Sequence, residues 1–253
     1  QDNAAQSSIT RAGGELRLRY PAGERFSLGL TLDGEYSWYD ISGIDTAGND
    51  LGGLLDGAYS LGLTPSVLYS IDRKWGVLVG GLVQSEAEEE AEFSDSLTYG
   101  AFGAVRYAVN DNFAVTFGGG IRTRLEDNAI FLPVIGFEWN ASTKVKLATE
   151  RLGLKVTVKI NDEVSAWLSG NYELREYRLT DEHFLAPEGV GRDHRVPIRF
   201  GINWTPSPAF TLEGYTGVVV WQEYEFLDAD GNEAFDDHSD PTGVIGVKAT
   251  FTF

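Results

Sequence analysis

The longest uninterrupted signal in the chain is an alternation of period two. Across 25–39, Phe26, Leu28, Leu30, Leu32, Tyr36 and Trp38 alternate with Ser27, Gly29, Thr31, Asp33, Glu35 and Ser37. Successive side chains of a strand point to opposite faces, so this segment is a strand with one apolar face and one polar or tiny face. It holds the period for about fifteen residues, well beyond the usual strand of a soluble domain. The same alternation returns over 59–69, 75–83, 97–107, 113–121, 131–139, 154–160, 196–204 and 245–253, and no segment carries a helical period.

The connections alternate in length. Tight polar turns fall at 21–24, 71–73, 110–112, 140–142, 161–163 and 206–208, and long polar loops fall near 40–54, 85–95, 180–192 and 226–241. Short turns on one side and long loops on the other describe a meander of hairpins, and also a transmembrane β-barrel. The aromatic residues favour the barrel over a soluble sandwich. Tyr20 and Phe26, Tyr69 and Trp75, Tyr107 and Phe113, Trp139, and Trp204 and Phe210 all sit at the turn end of the apolar face. A soluble core has no reason to place its rings at one end of its strands. A membrane interface does, because amphipathic rings settle at headgroup depth.

The 253 residues carry 38 Asp and Glu against 20 Lys and Arg, a formal charge of −18. Phosphate binding needs a cationic footprint, so a nucleic-acid partner is not expected. Cys is absent, which removes disulfides, thiolate metal sites and Cys nucleophiles. Met is absent too, and Gln1 reads as the first residue after a cleaved export signal. No apolar run is long enough for a transmembrane helix.

The last segment, Val247-Lys248-Ala249-Thr250-Phe251-Thr252-Phe253, alternates up to a terminal Phe. It resembles the C-terminal signal of outer-membrane barrels that the barrel-assembly machinery reads, with Phe251 and Phe253 as its rings. Leu132-Pro133-Val134-Ile135-Gly136-Phe137-Glu138-Trp139 and Phe200-Gly201-Ile202-Asn203-Trp204-Thr205-Pro206-Ser207-Pro208 are similar to segments of uncharacterised, porin-like barrel families of Gram-negative-type bacteria. The resemblance covers most of the chain in pattern and implies fold and location only. The expectation is a single all-β, antiparallel barrel in the bacterial outer membrane. Residues 1–12 would be a flexible segment or a short first strand, and 13–253 the barrel. An even strand count is expected, twelve with fourteen as the alternative.

With the aromatic face outward, Arg106, Arg122, Arg124, Arg195 and Arg199 point into the lumen, and Glu138, Glu173 and Glu213 are the nearest inward carboxylates by strand. Two readings stand side by side. The arginines either pair with carboxylates and brace the wall, or they line a hydrated constriction that favours anions. The first gives a plugged structural or interaction barrel working through its acidic outer loops, as a homo- or hetero-oligomer or a subunit of a surface assembly. The second gives a small porin-like channel for small, anion-leaning solutes and is the leading expectation, since three carboxylates cannot neutralise the cations. The acidic loops face lipopolysaccharide and solvent.

No catalytic set is expected. His183, His194 and His238 fall in or beside outer loops, and only a rim hydrolase using His194 would need one of them. No cofactor is expected either, apart from a weak calcium motif. Asp228, Asp230 and Asn232 place side-chain oxygens at every second residue, as calcium loops do, without the Gly and the distal Glu of that motif.

Overall fold

The computed structural model describes residues 6–42, 45–46, 49–50, 55 and 57–252. Its strands are β1 (Gln6–Pro21), β2 (Phe26–Ser42), β3 (Asp45–Thr46), β4 (Asn49–Asp50), β5 (Gly57–Ser70), β6 (Trp75–Glu88), β7 (Leu97–Asn110), β8 (Phe113–Arg124), β9 (Asp127–Asn140), β10 (Val145–Thr149), β11 (Leu152–Lys159), β12 (Val164–Arg178), β13 (Val190–Ser207), β14 (Phe210–Leu227), β15 (Glu233–Ser239) and β16 (Thr242–Phe251). One short 3-10 turn covers Phe93–Ser96. No helix is long and apolar enough to cross a membrane, which says nothing about strands.

Local chemistry shapes the hairpins. At the tight ends, a side-chain oxygen stands in for a missing strand partner. Asp72 accepts from the backbone N–H groups of Lys74 and Trp75 at 2.7 and 2.8 Å. Asn161 does the same for Glu163 and Val164 at 2.9 and 2.7 Å, and Ser142 for Lys144 and Val145 at 3.2 and 3.1 Å. Asx and Ser turns of this kind fix the register of the strands they join. In that register Phe26 faces Tyr69, Trp75 faces Tyr107 and Phe113 faces Trp139. The ring centroids of Phe26–Tyr69 and Trp75–Tyr107 lie 4.7 and 4.4 Å apart. At the turn end these rings form cross-strand pairs, of which Phe26, Trp75 and Trp139 are exposed.

Fourteen strands form one sheet in the order β1-β2-β5-β6-β7-β8-β9-β10-β11-β12-β13-β14-β15, with β16 also on β14. This differs from the expected twelve. β15 and β16 are collinear pieces on one edge of β14, so the sheet has 14 − 1 = 13 staves. The extra strands come from two places, and β11 is the segment read as alternating over 154–160. Gln6–Ala12, expected as a flexible segment or a short first strand, is the first half of β1 and pairs with β2. β10 and β11 are joined by a tight turn at Glu150 and Arg151, where Arg151 has φ +52°. Because the stave number is odd, β1 and β16 run in the same direction. No pairing joins them among the described residues, and Ile245 on β16 is 84% exposed.

The loop end of the sheet is divided. One parallel bridge joins Arg178 of β12 to Ala87 of β6, so β6 through β12 close into a ring of seven strands, with the other strands outside it. The upper part of β12 keeps its pairing to β13 as far as Arg178 while its other edge passes from β11 to β6, so it stands as a septum between the ring and the outer strands. Its Glu173, Arg175 and Tyr177 side faces β1, β2 and β13–β14. Its Glu176 and Arg178 side faces β8 and β9.

Candidate functional site

On the first side of the septum, Glu173 gathers three arginines. Its carboxylate accepts from Arg195 at 2.7 Å, from Arg199 at 2.8 Å and from Arg175 at 3.2 Å. Arg175 also donates from Nε to Glu35 of β2 at 2.9 Å. Arg11 of β1 donates to Asp193 of β13 at 2.7 Å and to the Tyr39 hydroxyl at 3.0 Å. Gln222 then donates to the other Asp193 oxygen at 2.8 Å. Buried charges hold only when paired and hydrogen-bonded, and this layer meets that condition across strands far apart in sequence.

Toward the loops the charged layer is capped by an apolar one. Tyr39, Leu55, Ala58, Tyr177, Leu179, Ala186, Tyr224 and Phe226 form one buried cluster, with Ile9, Leu185 and Phe235 against it. The segment 179–189 turns inward to supply it. Arg178 donates to the Glu188 carbonyl at 2.6 Å, and Glu88 accepts from the Thr180 N–H at 2.9 Å. The His183 ring stacks on Phe226 at 5.7 Å, and its Nδ1 accepts from the Ala186 N–H at 3.2 Å. His183 is therefore a packed core side chain.

On the second side, Arg122 pairs with Glu86 at 2.9 Å. Arg124 pairs with Glu176 at 2.6 Å and Asp127 at 2.7 Å. Arg192 reaches Glu176, Glu225 and Asp127 at 2.9, 3.0 and 3.2 Å. Arg178 meets Glu126 at 2.6 Å. The Nε atoms of Arg122 and Arg199 are buried without an acceptor.

Four of the five arginines expected in the lumen, Arg122, Arg124, Arg195 and Arg199, are thus engaged by carboxylates. Arg106 has no ion pair among the described residues. Of the expected carboxylates, Glu173 is central, Glu138 pairs with Lys146 at 3.4 Å, and Glu213 lies 4.0 Å from Lys155. The expected shortage of negative charge does not arise at the loop end. Glu176 and Asp193, which flank the 180–192 loop, lie on strands because β12 runs to Arg178 and β13 starts at Val190. Glu35 and Glu86, on β2 and β6, complete the set. The alternating Glu173-x-Arg175 carried a signal for this, since charges at period two share a face.

The calcium motif is used as a turn. Asp228 Oδ1 accepts from the Asp230 and Asn232 N–H groups at 3.0 and 2.8 Å, and the Asn232 amide donates to both Asp228 oxygens. The Asn232 backbone hydrogen bond, foremost, holds the Asp228 carboxyl below the usual carboxylate range. A different trio, Glu223, Asp236 and His238, brings its ligand atoms within 4.8 Å of one another at the exposed β14–β15 rim. Sequence spacing hid it because its members come from two strands.

His194 lies beside Tyr172, whose hydroxyl is 2.5 Å from Nδ1, and its Nε2 is 3.6 Å from Glu225. No Ser accompanies it among the hydrogen bonds of the described residues. Phe251 is paired opposite Phe210, with ring centroids 5.1 Å apart, and Phe253 lies outside the described residues. Compared with known proteins, the chain matches no family model, no curated protein and no solved structure.

Proposed function

We propose that this chain is an exported outer-membrane barrel, closed at rest, that works as a structural or interaction protein through its acidic loop end. The observation that carries the reading is the double seal at that end. An ion-paired layer, centred on Glu173 and on Arg11–Asp193, lies beneath an apolar cluster of Tyr39, Tyr177 and Phe226. A solute path on that side of the septum would have to break both, and one through the seven-strand ring would have to break the Arg122–Glu86 and Arg124–Glu176 pairs. The belt of cross-strand ring pairs and the alternating apolar faces support membrane insertion, with the tight turns periplasmic and the loops outside. Exposed Glu89, Glu90, Asp181, Glu182, Asp230 and Asp236 give the loop end a negative surface suited to a basic partner or to divalent-bridged lipopolysaccharide.

The channel reading, with anion-leaning solutes, rests on the turn half of the lumen. Arg106 is exposed there. Planar-bilayer recording separates the two. The sealed barrel inserts without steady conductance. An ohmic, anion-selective conductance in the parent protein would replace this reading with the channel. A chain that stays monomeric and soluble without detergent would remove both.

A further inference from the structure

The wall of the seven-strand ring is incomplete beside β9. One edge of β9 pairs with β8 from Asp127 to Trp139, but the other meets β10 only at 138–140. Thr149 ends that pairing: its hydroxyl accepts from the Phe137 N–H at 3.0 Å and donates to the Phe137 carbonyl at 3.3 Å. Alternate residues of a strand present their backbone groups to the same edge, so Phe131, Pro133 and Ile135 face the gap above Thr149. No strand covers them among the described residues. The roof of the gap is the ion-pair bridge Arg124–Glu176 and Arg192–Asp127, and its floor is the tip of the β10–β11 hairpin.

A cavity of about 490 Å³ occupies this gap, within the range of small-molecule sites. It is lined by Leu132 and Val134 from one face of β9 and by Pro133 and Ile135 from the other. A cavity that touches both faces of a wall strand passes through the wall, so this is a lateral portal. Inside, Leu132 and Val134 stand opposite Gly120 and Gly118, which are opposite Phe102 and Ala104 in turn. The result is an apolar trough, about 20 Å long by strand rise, between the levels of Arg122 and Arg106. Its lumen face departs from the charged pattern of the septum. Arg106 and Arg151 both line the cavity, and neither has a salt bridge among the described residues.

We propose that this portal binds a single-chain anionic amphiphile, with the chain along Leu132 and Val134 and the head group on Arg106 and Arg151. The apolar trough accounts for the chain, and the two guanidinium groups outside any salt bridge among the described residues account for the negative head. A strand from another polypeptide is the competing occupant of the open edge. Pro133 withholds the N–H at the centre of that edge, which suits an edge left without a strand partner.

The test uses the full chain in phosphatidylcholine nanodiscs, titrated with the fluorescent fatty acid dansyl-undecanoate and competed with palmitate or hexadecanol. The parent binds the probe saturably, and palmitate displaces it. Val134→Trp fills the trough and abolishes saturable binding. Arg106→Gln with Arg151→Gln weakens palmitate competition about ten-fold, the loss expected for charge-assisted hydrogen bonds, and leaves hexadecanol unchanged. Both variants are checked for the parent's heat-modified gel shift. Non-saturable binding in the parent, or parent-like affinity for palmitate in the correctly shifted double-Gln variant, overturns the proposal. So does hydrogen exchange showing the 131–135 amides protected by a co-purified polypeptide. Conductance is not read in this assay, so its failure and that of the sealed-barrel reading are separate results.

Discussion

Arg11 and Asp193 are 182 residues apart in sequence and 2.7 Å apart in space. The pair links β1 to β13 across the interior. Its partners, Tyr39 and Gln222, come from two further strands. Asp193→Ala strands the Arg11 guanidinium in a buried site. We expect it to lose about 3–5 kcal/mol, the usual cost of breaking a buried pair from one side. Urea unfolding in detergent, followed by the gel shift, measures this. Arg11→Met with Asp193→Leu removes both charges and is expected to be less destabilised than the single change.

Glu86→Gln with Glu176→Gln takes the carboxylate from Arg122 and one of two from Arg124 while keeping the side-chain shapes. Guanidinium groups do not discharge at working pH, so they draw in water and anions. We expect a small anion-selective leak in planar bilayers where the parent is silent. The reversal potential in a salt gradient gives the sign.

Phe226 is 2% exposed at the centre of the apolar seal. Phe226→Ala is expected to cost about 3–5 kcal/mol, as for other core aromatic truncations. Ile245, nearly bare on β16, is the control. Ile245→Ala is expected to stay within about 0.5 kcal/mol.

Asp228 tests the turn. Its carboxyl is held below its ordinary range by the hydrogen bonds of the Asx turn. A depressed folded value means the stabilisation is complete above the unfolded value and is lost as pH falls through the folded one. Hydrogen exchange of the Asp230 and Asn232 amides should therefore keep its protection from neutral pH into mild acid and lose it only below the usual aspartate range. Asp228→Ala should lack that protection at every pH.

What the sequence determined was each side chain's face. Period two is local, because the pleat alone sends Phe26 and Leu28 to one side and Ser27 and Gly29 to the other. The belt pairs follow from the same pleat once the tight turns set the register. The tight turns were legible too, four of them through an Asp, Asn or Ser that carries its own hydrogen bonds. Tertiary structure decided what no local period encodes. Whether the upper part of β12 keeps one edge open or meets Ala87 depends on pairing across ninety-one residues, 178 − 87 = 91. That pairing decides whether Glu176 meets solvent or Arg124. The strand count turned on β10, only five residues long, too short for its alternation to stand out from a loop. That same short strand leaves the edge of β9 open, so the portal exists only where the sheet runs out of partners.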